Sequence, residues 1–181
     1  MNKISTKNIA LGGLLFAIII VMQLLKNISP FISGPVINTV MVIAALHLGM
    51  WWGVGFSIIV PITSLLVAPS SAMTVVTGQT YGATIPIIII GNILLVLFSY
   101  LGKKRGNKVF IVGIIIGAVL KWLFMWGCGD LILKPLFSET LGDMVAVINK
   151  IFSTLQLYSG LLSVILICPI SIILDKYKKN A

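Results

Sequence analysis

The sequence alternates between long apolar runs and short polar or charged breaks. A helix needs roughly 20 apolar residues to cross the hydrocarbon core of a bilayer, and the runs are close to that length. Unpaired backbone amides cannot face hydrocarbon, so spans are helices or closed barrels, and the runs lack the alternation of barrel strands. The pattern therefore predicts six transmembrane helices, at about 8–26, 36–50, 52–68, 83–101, 109–127 and 150–174.

The breaks between the runs carry residues typical of turns and loops. SPFISGP (29–35) contains two prolines and a glycine and predicts a turn, and GKKRGNK (102–108) predicts a charged turn. PSSAMTVVTGQTYG (69–82) indicates a polar loop, and 128–144 a longer mixed loop with room for a short helix. We therefore expect an all-α membrane protein, a six-helix bundle that forms one integral membrane domain over residues 1–181.

Composition agrees with this class and leaves no room for a separate soluble catalytic domain. Hydrophobic residues make up 59% of the 181 positions and charged residues 9%, whereas a soluble domain has about a quarter charged. The net charge is +9, but the lysines and arginines lie at the ends of apolar runs rather than along a soluble helix. Anionic lipid headgroups, not nucleic acid, are therefore the expected counter-charge.

The basic residues are distributed unequally between the two ends of the predicted bundle. Because six spans place both termini on the same side, nine of the 13 lysines and arginines share the terminal end. These are Lys3, Lys7, Lys103, Lys104, Arg105, Lys108, Lys176, Lys178 and Lys179; Lys26, Lys134 and Lys150 fall at the other end. The positive-inside rule then predicts that both termini are cytoplasmic. The apolar run after the basic start is too long for an ordinary signal sequence and predicts a first span.

Lys121 lies inside the fifth apolar run, in GAVLKWLFMW (117–126). Gly113, Gly117 and Lys121 are spaced by four and share a helix face. Small residues face protein rather than lipid, so the ammonium group should point into the bundle. Either Lys121 contacts a ligand with a carboxylate, phosphate or carbonyl oxygen, or backbone carbonyls or Asp130 satisfy it.

Other polar and aromatic residues lie in the same half of the predicted bundle. Asn92 can hydrogen-bond a ligand or a neighbouring helix, and Trp122 and Trp126 form either an interfacial belt or an aromatic wall for a flat solute. Gln79 and Tyr81 precede the fourth span, where they can form a ligand rim. We expect one outward-facing cavity. The candidate binding residues are Lys121, Asn92, Trp122, Trp126, Gln79, Tyr81, Asn38, which opens the second span, and Gln156, in the sixth.

A second candidate surface is a stripe of small residues on the first span. Ala10, Gly13 and Ala17 share one face of ALGGLLFA, and Gly13 and Ala17 form a small-xxx-small pair. Such a pair lets a second helix approach closely. The face either packs within the bundle or docks another membrane protein.

Motifs for catalysis are missing from the sequence. It has no GxxxxGK[ST] phosphate loop, no HExxH, no clustered Cys and His, and no Asp or Glu inside a predicted span. Cys128 and Cys168 lie in separate segments, and we expect both to be free thiols. We therefore expect no enzyme activity, no cofactor and no metal site, and a proton-coupled carrier would lack its usual intramembrane acid.

The features now assembled resemble a family of small membrane proteins. They are six short spans in under 200 residues, ALGGLLFA, SPFISGPVINTVMVIAALHLGMWWG, IPIIIIGNILLVLFSY and AVLKWLFMW. Together they resemble the substrate-binding S component of energy-coupling factor (ECF) vitamin transporters, a group that includes folate, pantothenate and cobalamin binders. The resemblance covers nearly the whole chain.

The resemblance implies a non-enzymatic subunit in a bacterial plasma membrane that binds a vitamin or related micronutrient from outside. Lys121 favours an anion or a carbonyl-rich ring, and the tryptophans favour a flat, aromatic solute. It implies docking to a transmembrane T subunit that carries two cytoplasmic ATPases, followed by toppling of the S component to release solute inside. The family's docking motif matches Gly13 and Ala17, with Ala10 extending the face. The family's pockets lie in the outer half, under the loops between helices 1–2, 3–4 and 5–6.

Two other classes of function remain open. One is a standalone small-solute carrier or membrane scaffold that works without ATPase partners. The other is a small membrane enzyme acting on lipid, for which the sequence offers neither a nucleophile nor a metal-binding set.

Overall fold

A computed structural model describes residues 6–180, without the side chains of residues 107 and 177–180. The chain in this range is almost entirely helical and contains no strand. The helices are α1 (Thr6–Leu24), α2 (Pro30–His47), α3 (Met50–Val67), α4 (Ala72–Gln79), α5 (Thr84–Arg105), α6 (Asn107–Cys128), α7 (Lys134–Leu141), α8 (Met144–Asn149) and α9 (Leu155–Asn180).

Six helical segments in the described chain are long and apolar enough to cross a membrane, which confirms the all-α class and the predicted number of spans. Two of them are longer than one helix, because α6 continues through a π-helical turn into α7, and α8 continues through a second such turn into α9. The six segments are Thr6–Asn27, Pro30–His47, Met50–Val67, Thr84–Arg105, Lys108–Leu141 and Met144–Lys176.

The predicted turn at 29–35 is wrong, because α2 already begins at Pro30. A proline in the first turn removes only an N–H group that has no partner within the helix, so Pro30 favours a helix start. Pro35 is accommodated inside α2, where neighbouring helices can satisfy freed backbone groups, and Thr39 Oγ1 donates to the Pro35 carbonyl at 2.8 Å. Asn38 therefore lies two turns inside α2 instead of opening it.

The other breaks are also more helical than predicted. The polar loop at 69–82 contains α4, whose N-cap Ser71 accepts a hydrogen bond from the Thr74 amide at 3.3 Å. The charged turn between α5 and α6 is reduced to Gly106, which has a positive φ of 121°. In the mixed loop at 128–144, the π-helical turn Gly129–Leu133 leads into α7.

Helix α2 is the centre of the bundle. Of its span, 61% is buried, against 22–39% of the other five spans. It packs against α1, α3, α5 and α9. A polar side chain on α2 therefore faces protein on most sides and must find its partners inside the bundle.

Helices α5 and α6 form a closely packed antiparallel pair. A Cβ atom added at Gly113 would lie 2.6 Å from the Phe98 carbonyl oxygen, and one at Gly117 would lie 2.9 Å from that of Leu95. No side chain fits between the two backbones at these positions. Lys121 is one turn beyond Gly117 on the same face, so it points into the bundle as the spacing predicts.

The apolar interior consists of two clusters at different heights. One is centred on α2 and the halves of α5, α6 and α9 nearer the terminal end, and includes Met41, Leu95, Ile114 and Ile167. The other packs α4, α7 and α8 against the opposite half of α5 and α6. Residues of both clusters line a cavity at the end of the bundle away from Gly106.

Candidate functional site

A cavity of about 490 Å³ opens at the end of the bundle where α1 ends and α2 begins. Its walls come from Lys26 and Asn27 in the turn that follows α1, the last turns of α3, the first half of α2 and α5, α4 and the turn before it, the second half of α6, and the start of α9. Pockets for small molecules usually measure about 300–1,000 Å³. The cavity is therefore large enough for a small organic molecule.

Lys121 is buried at the inner wall of this cavity, with only 4% of its surface exposed. Its Nζ donates to Asn38 Oδ1 at 2.7 Å and to Asn92 Oδ1 at 2.8 Å. Asn38 Nδ2 in turn donates to Ser159 Oγ at 3.4 Å. These hydrogen bonds join α2, α5, α6 and α9, so four helices fix the position of one ammonium group.

The partners of Lys121 are side-chain amides, not the backbone carbonyls or Asp130 that the sequence offered as alternatives. Asp130 instead pairs with Lys134, one turn further along the chain. An ammonium group has three N–H donors, and two of them are used by the amide oxygens. Since both amides are neutral, they satisfy hydrogen bonds without neutralising the charge.

Gly91 lies at a close contact between α5 and α6, beside the Lys121 stem. A Cβ atom added there would lie 3.1 Å from Met125 Cγ and 3.4 Å from Lys121 Cγ. The tightest contacts are with Met125, and the Lys121 stem would lie at ordinary van der Waals distance from the added atom. Asn92, the next residue, then meets the ammonium group.

Lys26 is a second basic residue at the cavity, and its sequence position indicates only that it lies at the same end of the bundle as Lys134 and Lys150. Its Nζ donates to Ser64 Oγ at 2.8 Å. Gln23, one turn earlier, donates from Nε2 to the Val60 carbonyl at 2.9 Å and to Thr63 Oγ1 at 3.0 Å. These bonds attach the end of α1 to α3 and hold Lys26 beside the cavity. The sequence signal for a cavity role of Lys26 is weak: a lysine and an asparagine stand at the end of the first apolar run.

Hydroxyl groups supply most of the remaining polar surface. They come from α2, α3, α4, α9 and the turn before α4, and one of them is fixed by a 2.6 Å hydrogen bond between Thr77 Oγ1 and Thr84 Oγ1. Within the described chain, neither a carboxylate nor an aromatic side chain lines the cavity. The lining hydroxyls belong to Ser33, Ser64, Ser70, Ser71, Thr74, Thr77 and Ser159.

The structure brings four of the eight predicted binding residues to the cavity: Asn38, Asn92, Lys121 and Gln156. Residues 38 and 121 are 83 positions apart in the chain, and residues 92 and 121 are 29 apart. Their convergence supports one shared site, although contact with a ligand remains a prediction.

Trp122 and Trp126, in contrast, do not line the cavity. Their rings stack on each other with centroids 6.3 Å apart, and Trp126 is exposed on the outside of α6. They follow Lys121 on a helix whose inward face is occupied by Lys121 and Met125. The exposed ring of Trp126 fits an interfacial belt, whereas the Trp122 indole nitrogen is buried and has no hydrogen-bond partner in the described chain.

Gln79 and Tyr81 also lie outside the cavity lining. Tyr81 is 82% exposed, has a positive φ of 48°, and its ring lies 6.3 Å from that of Phe137. Gln79 ends α4 and Tyr81 follows that helix, whereas the cavity is lined by the start of α4 and by Thr77. Neither residue contacts the cavity, so a role at the rim of a ligand site remains a prediction for both.

The small-residue face of α1 lies on the outside of the bundle. Ala10, Gly13 and Ala17 are exposed, and a Cβ atom added at Gly13 would meet nothing within 4 Å. The neighbouring Gly12 faces inward, where an added Cβ would lie 2.3 Å from the ring of Trp52. Packing within the bundle is therefore the wrong interpretation of this face, and docking to another protein remains a prediction.

Residues that could hold a metal ion do not cluster in the described part of the chain. No group of three or more His, Cys, Asp or Glu side chains has a suitable arrangement there. Cys128 and Cys168 are free thiols.

Comparisons with known proteins do not identify a family. No family model matches the sequence, and no curated protein or solved structure is significantly similar to it. Function is therefore inferred from the geometry of the cavity and from the sequence resemblance.

Proposed function

We propose that this chain is the solute-binding subunit of an ECF-type importer, which captures a vitamin or related micronutrient and delivers it to partner subunits. The observation that carries the proposal is the cavity with Lys121 in its inner wall, held by Asn38 and Asn92. A charged group this deep in an apolar helix costs about 3 kcal/mol to insert even on the gentlest scale, and such residues are functional candidates by default. Four helices contribute to its placement, as expected for a preorganised binding site.

The one-ended shape of the cavity favours capture over passage. Towards the terminal end of the bundle, Leu95 and Ile114 are completely buried and Ala118 is 2% exposed. Apolar side chains fill the interior there, so a solute in the cavity has protein beneath it. A carrier that works alone must open to each side in turn, whereas a subunit that docks elsewhere can release its solute in the complex.

Both termini are proposed to be cytoplasmic, which makes the cavity face outward. The support is the charge distribution: Lys103, Lys104 and Arg105 end α5 at the terminal end, and Lys7 and Lys108 lie at that end too. Fusions of a fluorescent protein and of alkaline phosphatase to the C-terminus test this. Fluorescence without phosphatase activity is expected, and the reverse would place the cavity on the cytoplasmic side.

The proposed partners are a transmembrane T subunit and two cytoplasmic ATPases, which dock at Ala10, Gly13 and Ala17. The exposure of this face leaves it open to a second helix. Coexpression and affinity purification with ECF subunits test the docking. Gly13→Leu should reduce recovery of the partners, while Gly55→Leu, at another open helical glycine, should not. Equal recovery from both variants would refute docking at this face.

A thermal-shift screen of the detergent-purified protein against water-soluble vitamins and nucleobases tests solute binding. A ligand at 100 times its dissociation constant stabilises the native state by about 2.7 kcal/mol, which a melting curve resolves. At least one compound is expected to raise the melting temperature. If none does, the binding-subunit proposal fails. If the protein alone equilibrates the solute across liposomes, it is a standalone carrier.

A further inference from the structure

The cavity has an unbalanced charge. Lys26 and Lys121 both line it, and no Asp or Glu of residues 6–180 does. Asp130, the acid that follows Lys121 most closely in the sequence, is engaged by Lys134 outside the lining. The cavity therefore presents two lysine side chains and, within the described chain, no carboxylate to pair with them.

The hydrogen bonds of the two lysines leave donors available to a ligand. Lys121 uses two of its three N–H groups on Asn38 and Asn92, and Lys26 uses one on Ser64. Amide and hydroxyl oxygens are neutral acceptors, so the charge of each ammonium is solvated but not cancelled. Burial of an uncompensated charge is expensive, and an anion in the cavity would relieve that cost.

The two ammonium groups belong to different depths of the cavity. Asn38 and Asn92 each lie eight residues after the first residue of their helix, which is about 12 Å along the axis at 1.5 Å per residue. Lys121 meets both of them at that depth. Lys26 instead belongs to the last turn of the first span, near the mouth. The two lysines therefore enter the same cavity from different helical turns, where one ligand can contact both.

The wall between the two lysines suits an aliphatic skeleton. It combines hydroxyl groups such as Ser33 and Thr77 with aliphatic side chains such as Met41 and Ile88. In the described chain, the lining includes no aromatic ring on which a flat solute could stack, and the tryptophan pair of α6 lies outside it.

We propose that the solute is a small aliphatic organic anion, whose carboxylate or phosphate pairs with Lys121 and whose other end reaches Lys26. This inference rests on the proposed solute-binding function and narrows its substrate class. It excludes flavin-like and nucleobase-like solutes, and it makes the acid group, rather than a ring, the main determinant of affinity.

Matched pairs of probes test the proposal by isothermal titration calorimetry on the purified protein. The probes are pantothenate against its alcohol panthenol, glycerol 3-phosphate against glycerol, and the ring compounds riboflavin and nicotinamide. We expect at least one acid to bind and its neutral counterpart to bind at least tenfold more weakly. The carboxylate and phosphate pairs distinguish the two kinds of acid group.

Charge-removing variants then locate the contact. Lys121→Met should weaken binding of the acid by about 10- to 100-fold, as expected for loss of a charge-assisted hydrogen bond. Lys26→Met provides a second variant near the mouth and should weaken it by a smaller factor. Lys150→Met removes the same charge from an exposed position at the same end of the bundle and should leave affinity unchanged.

Three other outcomes overturn the inference. If a neutral or ring-bearing probe binds and Lys121→Met does not affect it, the anion proposal is wrong while the binding function stands. If no probe and no compound of the vitamin panel binds, both proposals fail. If added phosphatidylglycerol stabilises the wild type but not Lys121→Met, and also blocks the acids, the cavity holds a lipid headgroup instead of a soluble anion.

Discussion

The close contact of α5 and α6 can be tested at Gly113, where the two backbones touch. A Cβ atom added there would lie 2.6 Å from the Phe98 carbonyl oxygen and 3.0 Å from Gly102 Cα. Both neighbours are backbone atoms, which cannot rotate away as a flexible side chain could. Gly113→Ala therefore forces the helices apart, and we predict that it destabilises the protein.

The size of the effect follows from the distances. Ordinary van der Waals contact begins at 3.4 Å, so the helices must separate by about 0.8 Å at Gly113. A gap of 0.5–1 Å forfeits roughly a quarter to a half of each lost dispersion contact, and overpacking typically costs about 1–3 kcal/mol. Gly→Ala also gains up to about 1 kcal/mol of helix propensity. A control Gly→Ala substitution that gains the same helix propensity without a steric clash allows this contribution to be subtracted.

Gly55→Ala is this control, because Gly55 lies inside α3 and an added Cβ would meet nothing within 4 Å. Unfolding free energies of both variants and the wild type would be measured by titrating mixed micelles with a denaturing detergent. Gly113→Ala should be less stable than Gly55→Ala by about 1–3 kcal/mol. If the two variants are equally stable, the helices are not packed as closely as described.

The same separation should affect the site. A uniform shift of 0.8 Å between α5 and α6 would lengthen the contact between Lys121 Nζ and Asn92 Oδ1 from 2.8 Å to about 3.6 Å. That distance is beyond hydrogen-bonding range. Gly113→Ala should therefore weaken solute binding although it lies two turns from Lys121, and unchanged affinity would mean that the strain is absorbed locally.

Two further predictions concern Lys121 and α1. In a double-mutant cycle, Asn92→Leu and Lys121→Met should couple by about 1.5–3 kcal/mol of unfolding free energy, as expected for a hydrogen bond to a charged group; additive effects would mean that the bond contributes nothing. On α1, Gly12→Val should lower the melting temperature because its Cβ would overlap the ring of Trp52, whereas Gly13→Val should leave it nearly unchanged; equal effects would contradict the orientation of the helix.

The sequence alone predicts the number and type of the membrane-spanning segments in the described chain. Bilayer thickness sets the length of a span, and the cost of unpaired amides in hydrocarbon requires helices, so both properties can be read from local runs of residues. The inward direction of the Lys121 side chain can also be predicted from the local sequence, because the helical repeat places Lys121 on the same face as Gly113 and Gly117.

Local patterns fail where neighbouring helices decide the outcome. Pro30 and Pro35 predict a turn in isolation, but one starts α2 and the other lies within it. Trp122 follows Lys121 in the chain, yet a step of one residue turns it by about 100° around the helix and away from the cavity.

Only the tertiary structure decides what surrounds Lys121. Asn38 comes from a helix 83 residues away, and Lys26 reaches the cavity because Gln23 attaches the end of α1 to α3. Such contacts depend on how each helix is rotated and how closely its neighbours approach, and these are set by packing between residues distant in sequence. The sequence therefore determines that a buried lysine exists, and the packing of α1, α2, α3, α5 and α6 makes it part of a cationic cavity.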